Sequence, residues 1–129
     1  MIEDIEIFSD SRGQLIPIEF NKINFEVKRV FIVKNVPVGT IRGNHSHHET
    51  IQYIFCMDGD VDVILHDGLT EKTFNLKKGN AILVPNLIWD SQKFNKKNSE
   101  IMVLCSTIFD LSDYIFNFDE FKQIVNKNN

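Results

Sequence analysis

Hydrophobic and polar positions alternate along most of this chain with a period of two, the signature of strands with one buried face. Phe25, Val27, Arg29, Phe31 and Val33 share one parity, and Val30 and Ile32 on the other parity make the second half of that segment apolar on both faces. Val61, Val63 and Leu65 point one way while Asp60, Asp62 and His66 point the other. Asp67-Gly68 then gives the clearest hairpin turn, returning through Thr70 to Leu76. Further strands are expected at Leu15 to Phe20 (with Pro17 marking an edge or bulge), at Ile51 to Met57, at Ala81 to Val84, at Leu87 to Phe94 and at Ile101 to Ile108. Gly39, Asp58-Gly59, Lys77 to Asn80 and Asn95 to Asn98 supply the turns between them. Only the tail changes period: Asp119 is expected to cap a short helix carrying Phe121, Ile124 and Val125 before the polar end at Asn126 to Asn129.

Eight to ten short strands and one terminal helix predict an all-β sandwich or barrel spanning residues 1–129 as one domain. Rossmann and TIM architectures lack the helices they require. The 129 residues, 43% hydrophobic and 25% charged, suit a globular domain. No apolar run is long enough to span a bilayer, and Met1 to Asp10 lacks the basic start and apolar stretch of a signal peptide, so a cytoplasmic protein is expected. A formal charge of -4 argues against a nucleic-acid or membrane-binding surface but leaves room for one anionic ligand met by a local cation. Cys56 and Cys105, each inside an apolar run, read as buried free thiols.

Chemistry concentrates in Gly43-Asn44-His45-Ser46-His47-His48. His45 and His47 share one face of an extended strand, and if Ile51, Tyr53 and Phe55 continue that parity the two imidazoles look into the interior. His48 then sits outside or at the rim, and His66 reads as a surface histidine. Two inward imidazoles in a small apolar interior are costly unless used or paired.

The spacing of Gly39, His45, His47, Gln52 and Gly59, followed by Gly79 and Pro85, resembles the two motifs of the cupin superfamily. That resemblance implies a double-stranded β-helix, or jelly-roll barrel. Gln52 stands where a cupin's metal-binding glutamate belongs, and Asp90 stands in place of a histidine. A site of His45, His47 and Asp90 is the metal alternative; otherwise Asp90 orients a histidine or hydrogen-bonds in a loop.

A closer resemblance lies in Arg42-Gly43-Asn44-His45-Ser46-His47, in Val61 to Gly68, in Pro85 to Trp89 and in Asp113-Tyr114-Ile115-Phe116-Asn117-Phe118-Asp119-Glu120-Phe121. These segments resemble the small-cupin sugar nucleotide 3,4-ketoisomerases (WxcM-like), typified by enzymes acting on dTDP-4-keto-6-deoxyglucose. The resemblance implies catalysis without metal or redox cofactor: one histidine removes the C3 proton, and a proton is delivered to C4, leaving the ketone at C3. It assigns His45 as the leading base, His47 as its partner, and Arg42 as a clamp for the diphosphate or an orienter of the substrate. Trp89 and Tyr53 either line the pocket or belong to the core. Gln52, opposite in parity to the histidines, needs a bulge to reach substrate. Relatives often carry tyrosine where Phe109 lies and arginine where Phe116 lies; Ser46 and His48 replace an alanine and a lysine. The family also implies a homodimer exchanging N-terminal strands, which the apolar Ile2, Ile5, Ile7 and Phe8 suit. A metal-dependent cupin enzyme and a non-catalytic sugar-nucleotide-binding cupin are the competing readings.

Overall fold

The computed structural model describes residues 1–127. Twelve strands occupy them: β1 (Glu3–Asp4), β2 (Phe8–Asp10), β3 (Gly13–Leu15), β4 (Arg29–Val33), β5 (Ile41–His47), β6 (Gln52–Asp58), β7 (Asp60–His66), β8 (Glu71–Lys77), β9 (Asn80–Val84), β10 (Trp89–Phe94), β11 (Glu100–Cys105) and β12 (Tyr114–Ile115). One helix, α1, covers Phe118–Lys127. No helix among the described residues is long and apolar enough to cross a membrane.

Ten strands form two antiparallel five-stranded sheets, ordered β1-β9-β6-β11-β4 and β12-β5-β10-β7-β8. They face each other as a jelly-roll sandwich, with β2 and β3 forming a separate hairpin. The alternation in β7, β6 and β11 explains the packing: Val61, Val63, Ile54, Cys56, Ile101 and Val103 meet between the sheets around the fully buried Phe94. Opposite side chains of the same strands, Tyr53, Phe55 and Leu104, form a second cluster on the outer face of the first sheet. There the N-terminal third covers them with Ile5, Ile18, Ile23, Phe25 and Val27. Trp89, Leu87 and Ile115 pack outside the second sheet beneath Phe121 and Val125 of α1. Cys56 and Cys105 are buried and free.

Two local expectations are corrected. Leu15 to Phe20 is not a strand: β3 ends at Leu15, and the chain passes into a 3-10 turn at Phe20–Lys22. Pro17 has no N–H for a ladder, so this stretch covers a sheet face rather than joining one. At α1, Asn117 rather than Asp119 is the cap, its Oδ1 accepting from the Glu120 N–H at 2.9 Å. Asp119 lies in the first turn, where a carboxylate favours the helix N-terminus. Of the expected polar end, Asn128 and Asn129 fall outside the described residues.

Candidate active site

β5 carries the histidines, and its backbone is not regular. Gly43 and Asn44 both have positive φ, 88° and 57°. Across on β10, Asp90 pairs with His45 but Ser91 pairs with Gly43, so Asn44 is an extra residue bulged out of the ladder. Its Oδ1 accepts from the Ser91 hydroxyl at 2.7 Å, tying the bulge down. Gly43 is required here by space as well as by φ, because a Cβ would lie 2.9 Å from the Asp90 carbonyl oxygen. The bulge resets the side-chain alternation, bringing Arg42 and His45 to line one cavity.

That cavity lies between the sheets, has a volume of about 80 Å³, and is bounded by Arg42, His45, Gln52, Asp90 and Gln92 against apolar neighbours such as Phe31. Larger grooves of about 290 and 410 Å³ lie elsewhere, one under the N-terminal segment and one beside Leu65 and Phe74, and neither contains a histidine. His47 continues the face of His45, with ring centroids 4.9 Å apart and planes nearly perpendicular. Tyr114, paired with His47 across β12 and β5, lays its ring 4.4 Å from His47 and 5.1 Å from His45. Phe116 stacks on Tyr114 at 5.3 Å. Arg29 reaches the same group from β4, its Nη1 donating to the Tyr114 oxygen at 3.4 Å and its guanidinium lying over Phe31 and Phe109.

Burial sets the charge state of the site. It lowers the His45 pKa, partly opposed by a hydrogen bond to the Gly43 backbone. His47 is pushed down to about 4, first by burial and then by His45; Asp113 opposes the shift and Arg29 adds to it. Both imidazoles are therefore neutral near pH 7 and able to accept a proton. Asp90 is 2% exposed and its carboxyl is pushed up to about 7 by burial, with a hydrogen bond from Gln92 opposing. Gln92 Nε2 donates to Asp90 Oδ1 at 2.6 Å, while Asp90 Oδ2 has no partner among the described residues.

The strand end bearing His47 is held by Asp113. Its carboxylate accepts from the backbone N–H groups of Glu49 and Thr50 and from the Thr50 hydroxyl, and its carbonyl accepts from His48 N–H. This clamp shapes the turn between β5 and β6, and it breaks the parity expected to run from His47 through Ile51 to Phe55. Consequently Gln52, not Tyr53, shares the cavity with His45. Tyr53 faces the opposite side, stacked on Phe55 and donating to Glu3. Trp89 also lies away from the histidines, packed against Phe118 and Phe121, because its neighbour Asp90 takes the inward position on β10. His48 is exposed, and His66 packs its ring on Phe118.

Arg29, Tyr114 and Gln92 belong to the site although sequence reasoning singled out none of them. Arg29 shares the inward parity of Phe31 and Val33, which was the available signal. Tyr114 lies inside the Asp113 to Phe121 segment, but nothing local indicates that it meets β5. Among the described residues no three His, Cys, Asp or Glu side chains converge as a metal-binding group, so His45, His47 and Asp90 do not form the triad weighed above.

The family described as "FdtA: WxcM-like, C-terminal" matches residues 1–126. A curated relative, the TDP-4-oxo-6-deoxy-alpha-D-glucose-3,4-oxoisomerase of Aneurinibacillus thermoaerophilus, is 34% identical over 122 residues, 93% of this chain and 88% of the relative. The QdtA sugar 3,4-ketoisomerase of Thermoanaerobacterium thermosaccharolyticum, solved in complex with TDP, superposes with a TM-score of 0.91 at 28% identity, covering 99% of this chain and 95% of that one. The WlaRB TDP-quinovose 3,4-ketoisomerase of Campylobacter jejuni gives a TM-score of 0.85 at 30% identity, covering 95% and 96%. With the cupin-type sandwich and the paired histidines in place, the chain belongs to the FdtA (WxcM-like, C-terminal) family, whose relatives named here are TDP-sugar 3,4-ketoisomerases.

Proposed function

We propose that this chain converts a dTDP-4-keto-6-deoxyhexose into the dTDP-3-keto-6-deoxyhexose by histidine-mediated proton transfer between C3 and C4. The observation that carries this reading is the His45–His47 pair, 4.9 Å apart on one strand face. The 4-keto group acidifies the C3 proton, and a neutral, half-buried imidazole is a suitable base for it. His45, at the junction of cavity and aromatic cluster, takes the C3 proton; His47 polarises an oxygen or relays the proton. A cavity of about 80 Å³ encloses the reacting edge of a sugar and leaves the nucleotide outside. Arg42 lines that cavity from its rim, placed to meet the diphosphate. Gln52 and Asp90, also on the cavity wall, are the substrate-binding groups. Tyr53 and Trp89 have structural roles in this reading, since both pack on outer faces.

The reading extends to a cytoplasmic homodimer that exchanges N-terminal strands. Exposed Phe8, Leu15, Val30 and Ile32 support a second copy, and the buried free thiols suit a reducing compartment. In the chain itself β1 pairs with its own β9. Light scattering on the purified protein tests the dimer: a monomeric mass at micromolar concentration would overturn it.

The activity is tested by incubating EDTA-treated protein with dTDP-4-keto-6-deoxyglucose in deuterated buffer and following the sugar by NMR. A 3-keto product labelled at C4 is expected, and its coupling constants distinguish a galacto from a gluco product. No new ketone and no exchange, with the fold intact, would overturn the assignment.

A further inference from the structure

Moving a ketone from C4 to C3 relocates two protons. One passes from C3 to C4 and the other from the O3 hydroxyl to O4. His45 accounts for the carbon-bound proton, and a neutral His47 can polarise an oxygen through its N–H, but the oxygen-bound proton still needs a group that gives one up and takes one back. Both imidazoles are neutral when substrate arrives, because burial holds their pKa values down, so neither is a cation ready to protonate O4.

One hydroxyl is built into the site. Tyr114 lies against both histidines, at 4.4 and 5.1 Å between ring centroids, and Phe116 stacks on it. Its oxygen accepts from Arg29, which occupies a lone pair and leaves the phenolic hydrogen free to donate. Among the described residues no acceptor takes that hydrogen. Arg29 is itself fixed between the rings of Phe31 and Phe109, 4.8 and 5.1 Å from its central carbon. Held there, the guanidinium stays within hydrogen-bonding reach of the oxygen as the phenol gives up a proton and takes one back.

We propose that the Tyr114 hydroxyl carries the second proton, from O3 to O4, with Arg29 stabilising the transient phenolate. This step rests on the ketoisomerase reading above. As His45 removes the C3 proton, the C3–H electron pair becomes the C3=C4 double bond. The carbonyl π pair moves onto O4, which takes the Tyr114 proton. The intermediate is an enediol, beside an imidazolium and a phenolate. The phenolate then removes the O3 proton, the O–H pair forms the new C3=O bond, and the C3=C4 pair takes the proton returned by the imidazolium at C4. Both side chains end as they began. Tyr114 is thus a catalytic residue and Arg29 a positioning one.

The test is Tyr114→Phe, which keeps the ring stack and removes only the oxygen, assayed with Arg29→Met, Arg29→Lys and the Tyr114/Arg29 double variant on dTDP-4-keto-6-deoxyglucose. Tyr114→Phe should lower kcat about 10²- to 10³-fold with KM changed only a few-fold and the melting temperature preserved. Arg29→Met should lower kcat as well, Arg29→Lys should recover part of it, and the double variant should be no slower than the worse single one. A Tyr114→Phe kcat within about threefold of wild type would overturn the step and leave the isomerase assignment standing. A wild-type chain that forms no 3-keto sugar would overturn the assignment and this step together.

Discussion

Arg42 and His45 lie three residues apart on one strand and still line the same cavity, because the bulge at Asn44 shifts the alternation by one residue. In a regular strand an odd separation sends side chains to opposite faces. The positive φ of Gly43 and Asn44, together with the Ser91–Asn44 hydrogen bond, is therefore what joins the cation to the base.

Gly43→Ala should disturb this arrangement at two levels. The new methyl group meets the Asp90 carbonyl in a backbone conformation that L-residues avoid. A loss of roughly 1–2 kcal/mol is expected, together with a fall in kcat/KM larger than stability alone explains. Thermal melts and steady-state kinetics on the same preparation check both; an active variant of wild-type stability would show that the bulge is dispensable.

His45→Asn should abolish C3 proton exchange, lowering kcat about 10³-fold or more, while His47→Asn should leave a slow residual rate. The acid limb of the pH–rate profile should lie below the ordinary histidine value of 6.5. The base must be neutral, and burial lowers both histidine pKa values, so the neutral form persists as pH falls. A limb at or above pH 6.5 would contradict a buried base.

Asp90 makes the pH dependence of stability depart from that of a simple surface carboxylate. Its folded pKa of about 7 exceeds the unfolded 3.8, so its stabilising contribution is complete below the unfolded value and is lost as pH rises through 7. His47, at about 4 against 6.5, acts in the opposite sense: its contribution is present above 6.5 and lost as pH falls toward 4. Asp90→Asn should therefore be more stable than wild type at pH 8.5, by roughly 5 °C in melting temperature. That advantage should vanish near pH 4. Melting curves across this range decide the matter, and a variant destabilised at pH 8.5 would mean that the carboxylate has a stabilising partner beyond Gln92 in the folded protein.

Asp113→Ala should cost about 1–3 kcal/mol, since it strands the Glu49 and Thr50 N–H groups and leaves the Thr50 hydroxyl with Thr107 alone. It should also lower kcat by loosening the strand end that presents His47. Amide hydrogen exchange is expected to rise locally at residues 48–51; protection unchanged there would show that another contact holds the turn.

Legibility in the sequence followed the range of the physics involved. The hairpin at Asp67-Gly68, the inward residues of β7, the shared face of His45 and His47, and the amphipathic tail are consequences of neighbours within a few residues, so period and turn chemistry were enough to read them. The motif resemblance added the cupin-type fold and the isomerase chemistry, both of which agree with the family and the solved relatives.

The faces of Gln52 and Tyr53, and of Asp90 and Trp89, depended instead on what their strands packed against. Extrapolating parity across Glu49 to Ile51 failed because Asp113, more than sixty residues further on, clamps that turn. By itself the sequence determined where the longer strands of the two sheets form and which side chains on each share a face, because alternation is a property of one extended backbone. The tertiary structure decided which face is inward and which distant groups meet: Arg42 with His45 through a bulge defined only by pairing with β10, and Arg29 with Tyr114 across 85 residues. Those meetings arise from pairing and burial between segments far apart in the chain, which no local pattern encodes.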